Sequence, residues 1–255
     1  MKFTIRVLLP VIGFVAALAI WWVASADSTS LYFPPLSKIL EAFNENWLFA
    51  RVGTDVAPSL SRFALGFLFA TIAGVVLGVL LGISPRLQRA LRPQLEFLRS
   101  TPPVLLLPPS LMLFGTGSEM KVFVIALGTV WPILLATTTG VRSADNVAID
   151  MGRVFGMNKI TRLRHVVIPG ALPSIIAGLR AALPIALVLM VVTELVASTN
   201  GVGFFILQSQ QNFDLVNMWS GVLLLGVIGM ALNLILGWAE RRVQAVVSPT
   251  SRGGQ

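Results

Sequence analysis

Asp150-Met-Gly-Arg-Val-Phe-Gly156-Met-Asn-Lys-Ile-Thr-Arg-Leu-Arg-His-Val-Val-Ile-Pro169 is a polar, basic stretch set between two long apolar runs, 120–140 and 171–198. Each flanking run has the ~20 residues that a helix needs to cross a hydrocarbon core of ~30 Å. Working outward, further apolar runs at 7–25, 63–83, 100–114 and 217–238 bring the expectation to about six transmembrane helices. Spanning strands would alternate apolar and polar residues over about ten positions, whereas these runs are continuous. The reading is an all-α membrane protein, one transmembrane domain over 1–255. Composition agrees: 55% hydrophobic, 12% charged and a mean hydropathy of +0.83 exclude a soluble domain, which carries about a quarter charged residues.

The net charge of +8 does not by itself point to nucleic acid, because charge in a membrane protein must be sorted by side. With a cytoplasmic N-terminus, fifteen of the nineteen basic residues fall on inner segments, leaving only Lys38, Arg51, Arg62 and Lys121 outside. That asymmetry places both termini in the cytoplasm of a multi-pass protein of the inner or plasma membrane. Contact with anionic lipid accounts for most of the inner arginines, and no nucleic acid is implied. Lys2 and Arg6 before an apolar run that ends at Ala24-Ser25-Ala26 imitate a secretory signal. The run is longer than the ~15 residues of a signal core, so a retained first span is expected.

Between the first two spans, Leu36, Ile39, Leu40, Phe43 and Trp47 recur at helical spacing after Pro34-Pro35. An amphipathic helix over 34–50 follows, lying externally either on lipid or against the bundle. Gly74, Gly78 and Gly82 stack on one helix face, which permits close approach of a neighbouring helix. Prolines interrupt the third and fourth spans, Pro103 and Pro132 among them, and broken helices border translocation paths in many carriers, although a simple kink would also account for each. Glu194 is an acid within the fifth span, which marks a gate or a hydrogen-bonding role. At ~1.5 Å per residue it lies ~37 Å along the helix from Pro169, close to the outer interface.

The opening stretch has its own local logic. Asn146 can cap a short helix starting near Val147, Asp150 lies where a helix dipole favours negative charge, and Gly156 is placed to end it. Pro169 suits the first turn of the fifth span, where a missing N–H costs nothing. The segment 143–168 then reads as helix, stop, linker and membrane helix. Such an element can pass motion from a cytoplasmic partner into the bundle.

The same spacing resembles the EAA loop of binding-protein-dependent ABC importer permeases, Glu-Ala-Ala-x3-Gly-x9-Ile-x-Leu-Pro. Asp150, Met151 and Gly152 stand at the Glu-Ala-Ala positions, Gly156 and Pro169 match, and Val166 and Ile168 replace similar aliphatics. Ser59-Leu60-x-Arg62-x3-Gly66-Phe67, Pro102-Pro103, Phe114-Gly115-x-Gly117, Pro173-x4-Gly178-Leu179-Arg180, Glu194 and Gly201-Val202-Gly203 are similar to the nitrate, sulfonate and taurine branch. The resemblance implies a type I importer fold and a coupling role for Asp150, Met151, Gly152, Arg153, Phe155, Gly156, Met157 and Pro169. It also implies two ABC ATPase subunits that bind ATP and Mg, a second permease subunit, identical or paralogous, and an external substrate-binding protein. Glu194, Pro103 and Pro132 are candidates for the gate or the path.

Catalysis on the chain itself is not expected. The single histidine, His165, lies in the basic loop with no second histidine to complete a metal site, and there is no cysteine for thiolate chemistry. No G-x4-G-K-[ST] phosphate loop occurs, so this chain needs no cofactor and the nucleotide belongs to another polypeptide. The alternative is a self-contained secondary carrier or channel, for which internal repeats and midplane charges would be the usual signs.

Overall fold

The computed structural model describes residues 13, 16 and 18–247. Most of the expected first span, 7–25, lies outside the described residues, and 18–25 are helical. Every regular element among the described residues is helical. In chain order they are α1 (Leu36–Glu45), α2 (Ala57–Ile83), α3 (Pro85–Ser100), α4 (Leu107–Phe114), α5 (Ser118–Arg142), α6 (Asn146–Val154), α7 (Lys159–Arg162), α8 (Ile168–Ala197), α9 (Val202–Gln211) and α10 (Leu215–Val247).

Four helical stretches among the described residues are long and apolar enough to cross a membrane: Val52–Ile83, Ser118–Arg142, Lys159–Ala197 and Leu215–Arg242. The stretch expected as a third span, 100–114, is instead a short apolar helix in two pieces. A 3-10 turn, Pro103–Leu106, runs into α4. The prolines account for the division: Pro102 and Pro103 withhold two N–H groups and hold Thr101 extended, while Pro108 enters the first turn of α4, where no intrahelical donor is required.

Just before it, Arg86, Arg89 and Arg92 belong to a 16-residue amphipathic helix, α3, begun by Ser84, whose Oγ accepts from Leu87 N–H at 3.3 Å, with Pro85 in the first turn. None of its residues is buried.

By internal packing the chain divides into two units, one made of the residues to Pro58 with Thr199–Val227, the other of Ser59–Ser198 with Ile228 onward. In the larger unit, glycine sets the helix spacing. A Cβ built on Gly66, Gly74, Gly78 or Gly82 of α2 would stand 2.6 to 2.9 Å from Ile125, Ile133, Thr137 or Val141 of α5, respectively. The partners advance together along both helices, so α2 and α5 run parallel in fixed register, backbone against side chain. The α5–α8 pair is antiparallel. Gly140 meets Ser174, and a Cβ on Gly178 would lie 2.7 Å from Ala136 Cβ and 3.1 Å from the Pro132 carbonyl. Ala70, Val130, Ile133 and Ala182 form the core where the three helices meet.

In the smaller unit, α1 buries Leu36, Ile39 and Ala42 and leaves Leu40 exposed. Trp47, in the wider turn Asn46–Ala50, packs edge-on against Phe205 with ring centroids 4.7 Å apart and donates from Nε1 to Ser220 Oγ at 3.1 Å. Asp55 is buried, and its Oδ1 accepts from the Gly201 N–H at 2.9 Å. Gly201 has φ of +113°, a conformation open to glycine and strained for other residues, and from it the chain turns into α9.

Candidate functional site

α6 is a surface helix with one anchored face and one bare one. Asp145, not Asn146, is its cap: the Asp145 carboxylate accepts from Val147 N–H at 2.9 Å, and Asn146 takes the first helical position. Both residue types cap well, but the charged one also meets the positive end of the helix dipole. At the other end Gly156 adopts φ of +73°. Its N–H donates to Arg153 O at 3.0 Å and the Met157 N–H to Gly152 O at 2.9 Å, the paired bonds of a glycine-terminated helix. Inward, Ile149 packs on a core of Val141, Ala144, Val167, Ala171 and Ile175, and Gly152 is buried.

Outward, Val147, Met151, Val154 and Phe155 recur at helical spacing and are exposed, Val154 to 85% and Phe155 to 75%. Asp150 and Arg153 flank them, joined to each other at 2.7 Å and both open to solvent. An apolar stripe of this kind on a polar loop is the sort of patch that marks interaction surfaces. Met157, half covered, closes the stripe beside Gly152.

The linker to the membrane is shorter and stiffer than helix, stop and new helix would be. Asn158 caps a helix at Lys159, its Oδ1 accepting from Thr161 N–H at 2.7 Å. From there one rod of 39 residues runs through α7, a π-turn Leu163–Val167 and α8 to Ala197. Pro169 takes the second position of α8, in its first turn as expected, and the π-turn before it joins α8 to α7 in one rod. There Ile168 N–H reaches back to Leu163 O. The wider turn relieves the clash of a proline ring with the preceding carbonyls, so the rod continues through it. Only Phe155–Asn158 separates α6 from this rod.

Glu194 belongs to a different kind of site. It is 0% exposed on α8 and accepts from Arg62 at 2.8 Å and from Ser59 Oγ at 2.8 and 2.9 Å. Arg62, 6% exposed, also donates to Ser118 Oγ at 3.2 Å and Ser198 Oγ at 3.4 Å. The carboxylate thus pins α2 to α8, and Ser118 adds the start of α5. Lys121, buried beside them, caps the turn before α5 through Thr116 O at 2.7 Å and Gly117 O at 3.1 Å. Ser59 and Arg62 are three apart on one helix face, a spacing that points both at the same neighbour. Their partnership with Glu194 is legible in the structure and not in the sequence, where 132 residues separate Arg62 from Glu194.

Pro103 lies against Gly128, where a Cβ would come within 3.0 Å of its ring, and Pro132 lies inside α5 at the crossing with α8. The structure therefore gives both a packing contact. It does not bring Pro103, Pro132 and Glu194 together with α6.

Residues 70–248 match the family described as binding-protein-dependent transport system inner membrane component. The chain belongs to this family. Its curated relatives include the bicarbonate transport system permease protein CmpB of Synechococcus elongatus, 33% identical over 92% of this chain and 88% of the relative. The nitrate import permease protein NrtB of Leptolyngbya laminosa is 30% identical over 94% and 89%, and the taurine transport system permease protein TauC of Escherichia coli 31% over 89% and 85%. Among solved structures, inward-facing forms of the MetNI methionine ABC transporter match with a TM-score of 0.62 at 19% identity, covering 76% of this chain and 94% of that one. That likeness shows the type I permease fold. The protein is a multi-pass inner-membrane permease subunit of an ABC importer, which leaves the self-contained carrier without support.

Proposed function

We propose that this subunit takes its driving force from a separate ATPase that docks on the outward face of α6, and that the cargo is a compact anionic or zwitterionic solute. The observation that carries the docking reading is the bare stripe Val147, Met151, Val154 and Phe155, held rigidly on the far side by Ile149 and Gly152. ATP and Mg belong to two partner ATPases, which approach each other when nucleotide binds. Because ATP favours the closed pair, its differential affinity supplies the free energy that moves the permease between states. α6 transmits that displacement through four linking residues to the 39-residue rod ending at Ala197.

A second, identical permease subunit completes the path, and an external binding protein delivers the solute. Glu194, with Arg62 and Ser59, acts in this reading as a clamp that keeps α2 and α8 together while other surfaces slide; Pro103, at the break before α4, and Pro132, within the continuous α5, border the path. The cargo reading follows the bicarbonate, nitrate and taurine named for the relatives.

The test replaces two side chains that lie mostly in solvent. Val154→Asp with Phe155→Asp should leave the permease extractable and folded, yet abolish both co-purification of the ATPase and solute uptake. Recovery of the intact, transport-competent complex from that variant would overturn the docking reading.

A further inference from the structure

A half-open cavity of about 540 Å³ lies between α3 and α5, apart from both sites above. On α3 its lining residues include Gln88, Arg89, Arg92, Glu96 and Arg99, steps of three, four and seven residues that fall on one helix face. From α5 come Trp131, Leu135 and Arg142, again one face. Four arginines therefore line one space, with a single carboxylate among them. Glu96 is already taken by Arg92, at 2.8 Å, and this hydrogen bond holds its carboxyl below the ordinary glutamate range, so it stays ionised.

Glu96 also attracts Arg99, but one carboxylate leaves the four cations well short of neutral. Arg142 spends one N–H on the neutral Gln88 Oε1 at 2.7 Å and Arg89 one on the Pro85 carbonyl at 3.3 Å. Among the described residues Arg99 has no hydrogen-bond partner and no ion pair. Mutually repelling guanidiniums held around a concavity are unfavourable unless an anion sits between them, and the planar fork of each N–H set matches an oxyanion. Solvent alone would hydrate arginines splayed outward equally well, but here the helix face aims them at a walled space with Trp131 and Leu135 opposite.

We propose that the α3–α5 cavity is an oxyanion-binding site, taking a sulfate-, carbonate- or phosphate-type group through Arg89, Arg99 and Arg142. The group comes either from a free solute or from the headgroup of an anionic lipid whose chains lie along the apolar wall. The site does not depend on the docking of an ATPase at α6, and its test uses neither ATP nor a partner.

The full-length chain is placed in phosphatidylcholine nanodiscs and binding of radiolabelled sulfate is measured. In parallel, retained phosphatidylglycerol is counted by native mass spectrometry after extraction from mixed bilayers. Arg89→Gln with Arg99→Gln is compared with a control of equal charge loss, Lys38→Gln with Arg241→Gln, and melting of all three proteins verifies folding. Saturable sulfate binding that weakens at least tenfold in the cavity variant and less than twofold in the control establishes the site with a free solute as occupant. Retained phosphatidylglycerol lost only from the cavity variant establishes it with lipid as occupant. Equal behaviour of the two variants in both assays, or no binding of either probe, overturns the proposal.

Discussion

Two arginine–carboxylate pairs in this protein have nearly the same geometry and opposite surroundings. Arg62 meets Glu194 at 2.8 Å with both side chains almost fully enclosed. Arg153 meets Asp150 at 2.7 Å with both mostly in solvent. The first joins two membrane helices and accepts support from Ser59, so removing either partner leaves the other enclosed without its counter-charge. The second joins neighbours on one short helix, where water and salt already satisfy the charges. Distance alone says nothing of what a pair contributes; enclosure decides it. The buried pair fixes architecture, while the exposed one leaves α6 available for contact.

The largest effect should come from breaking the buried pair on one side. Glu194→Ala leaves the Arg62 guanidinium enclosed without its counter-charge, which costs about 3–5 kcal/mol for such pairs. Thermal unfolding in detergent should show a sharply lower midpoint or loss of extractable protein. Replacing both partners, Arg62→Met with Glu194→Leu, should restore most of the loss, since the enclosed charge is then gone.

An intermediate effect is expected at the end of α6. Gly156→Ala puts a Cβ on a residue with φ of +73°, a cost of roughly 1–2 kcal/mol. No neighbouring atom lies within 4 Å of that Cβ, so the penalty is conformational and local. Proteolysis of the 155–158 linker should accelerate while the overall melting temperature moves little.

Gly152→Ala sharpens the contrast from the other direction. Its Cβ would meet Met157 Sδ at 3.4 Å and Arg162 Cδ at 3.5 Å, ordinary contact. The helix gains about 0.8–1 kcal/mol of intrinsic propensity. Slower amide exchange across α6 with unchanged uptake is the expected outcome. Asp150→Asn, by comparison, should leave stability unchanged, because exposed pairs contribute little.

The membrane class and the long helices were legible because continuous apolar runs leave no other option. Gly156 was legible too, since a stop signal needs only local geometry. The split at 102–107 was not: the run 100–114 has the composition of a span, and only the placement of four prolines along it decides that the helix restarts at Leu107. α3 was hidden because its leucines alternate with arginines, a pattern that charge sorting assigns to a loop end. Pro169 was legible as a first-turn residue, but the upstream continuation of its helix was not. A proline permits a helix start, but it also permits continuation when a π-turn precedes it, and sequence does not announce π-turns. The Arg62–Glu194 clamp and the α3–α5 cavity depend on residues from separate helices, so their assembly is a property of packing.

The claim that α6 is the surface through which this permease is driven can be tested most directly by cross-linking, since the chain contains no cysteine. Val154→Cys, introduced alone, is labelled with a short thiol-reactive benzophenone, which inserts into any nearby C–H bond on illumination, in native membranes, with and without ATP and vanadate, beside Lys38→Cys on α1. The account predicts a cross-link from position 154 to an ATPase subunit, with a yield that changes when nucleotide is trapped, and none from position 38. Absence of that cross-link from position 154 and from Met151→Cys in membranes active in transport would contradict it.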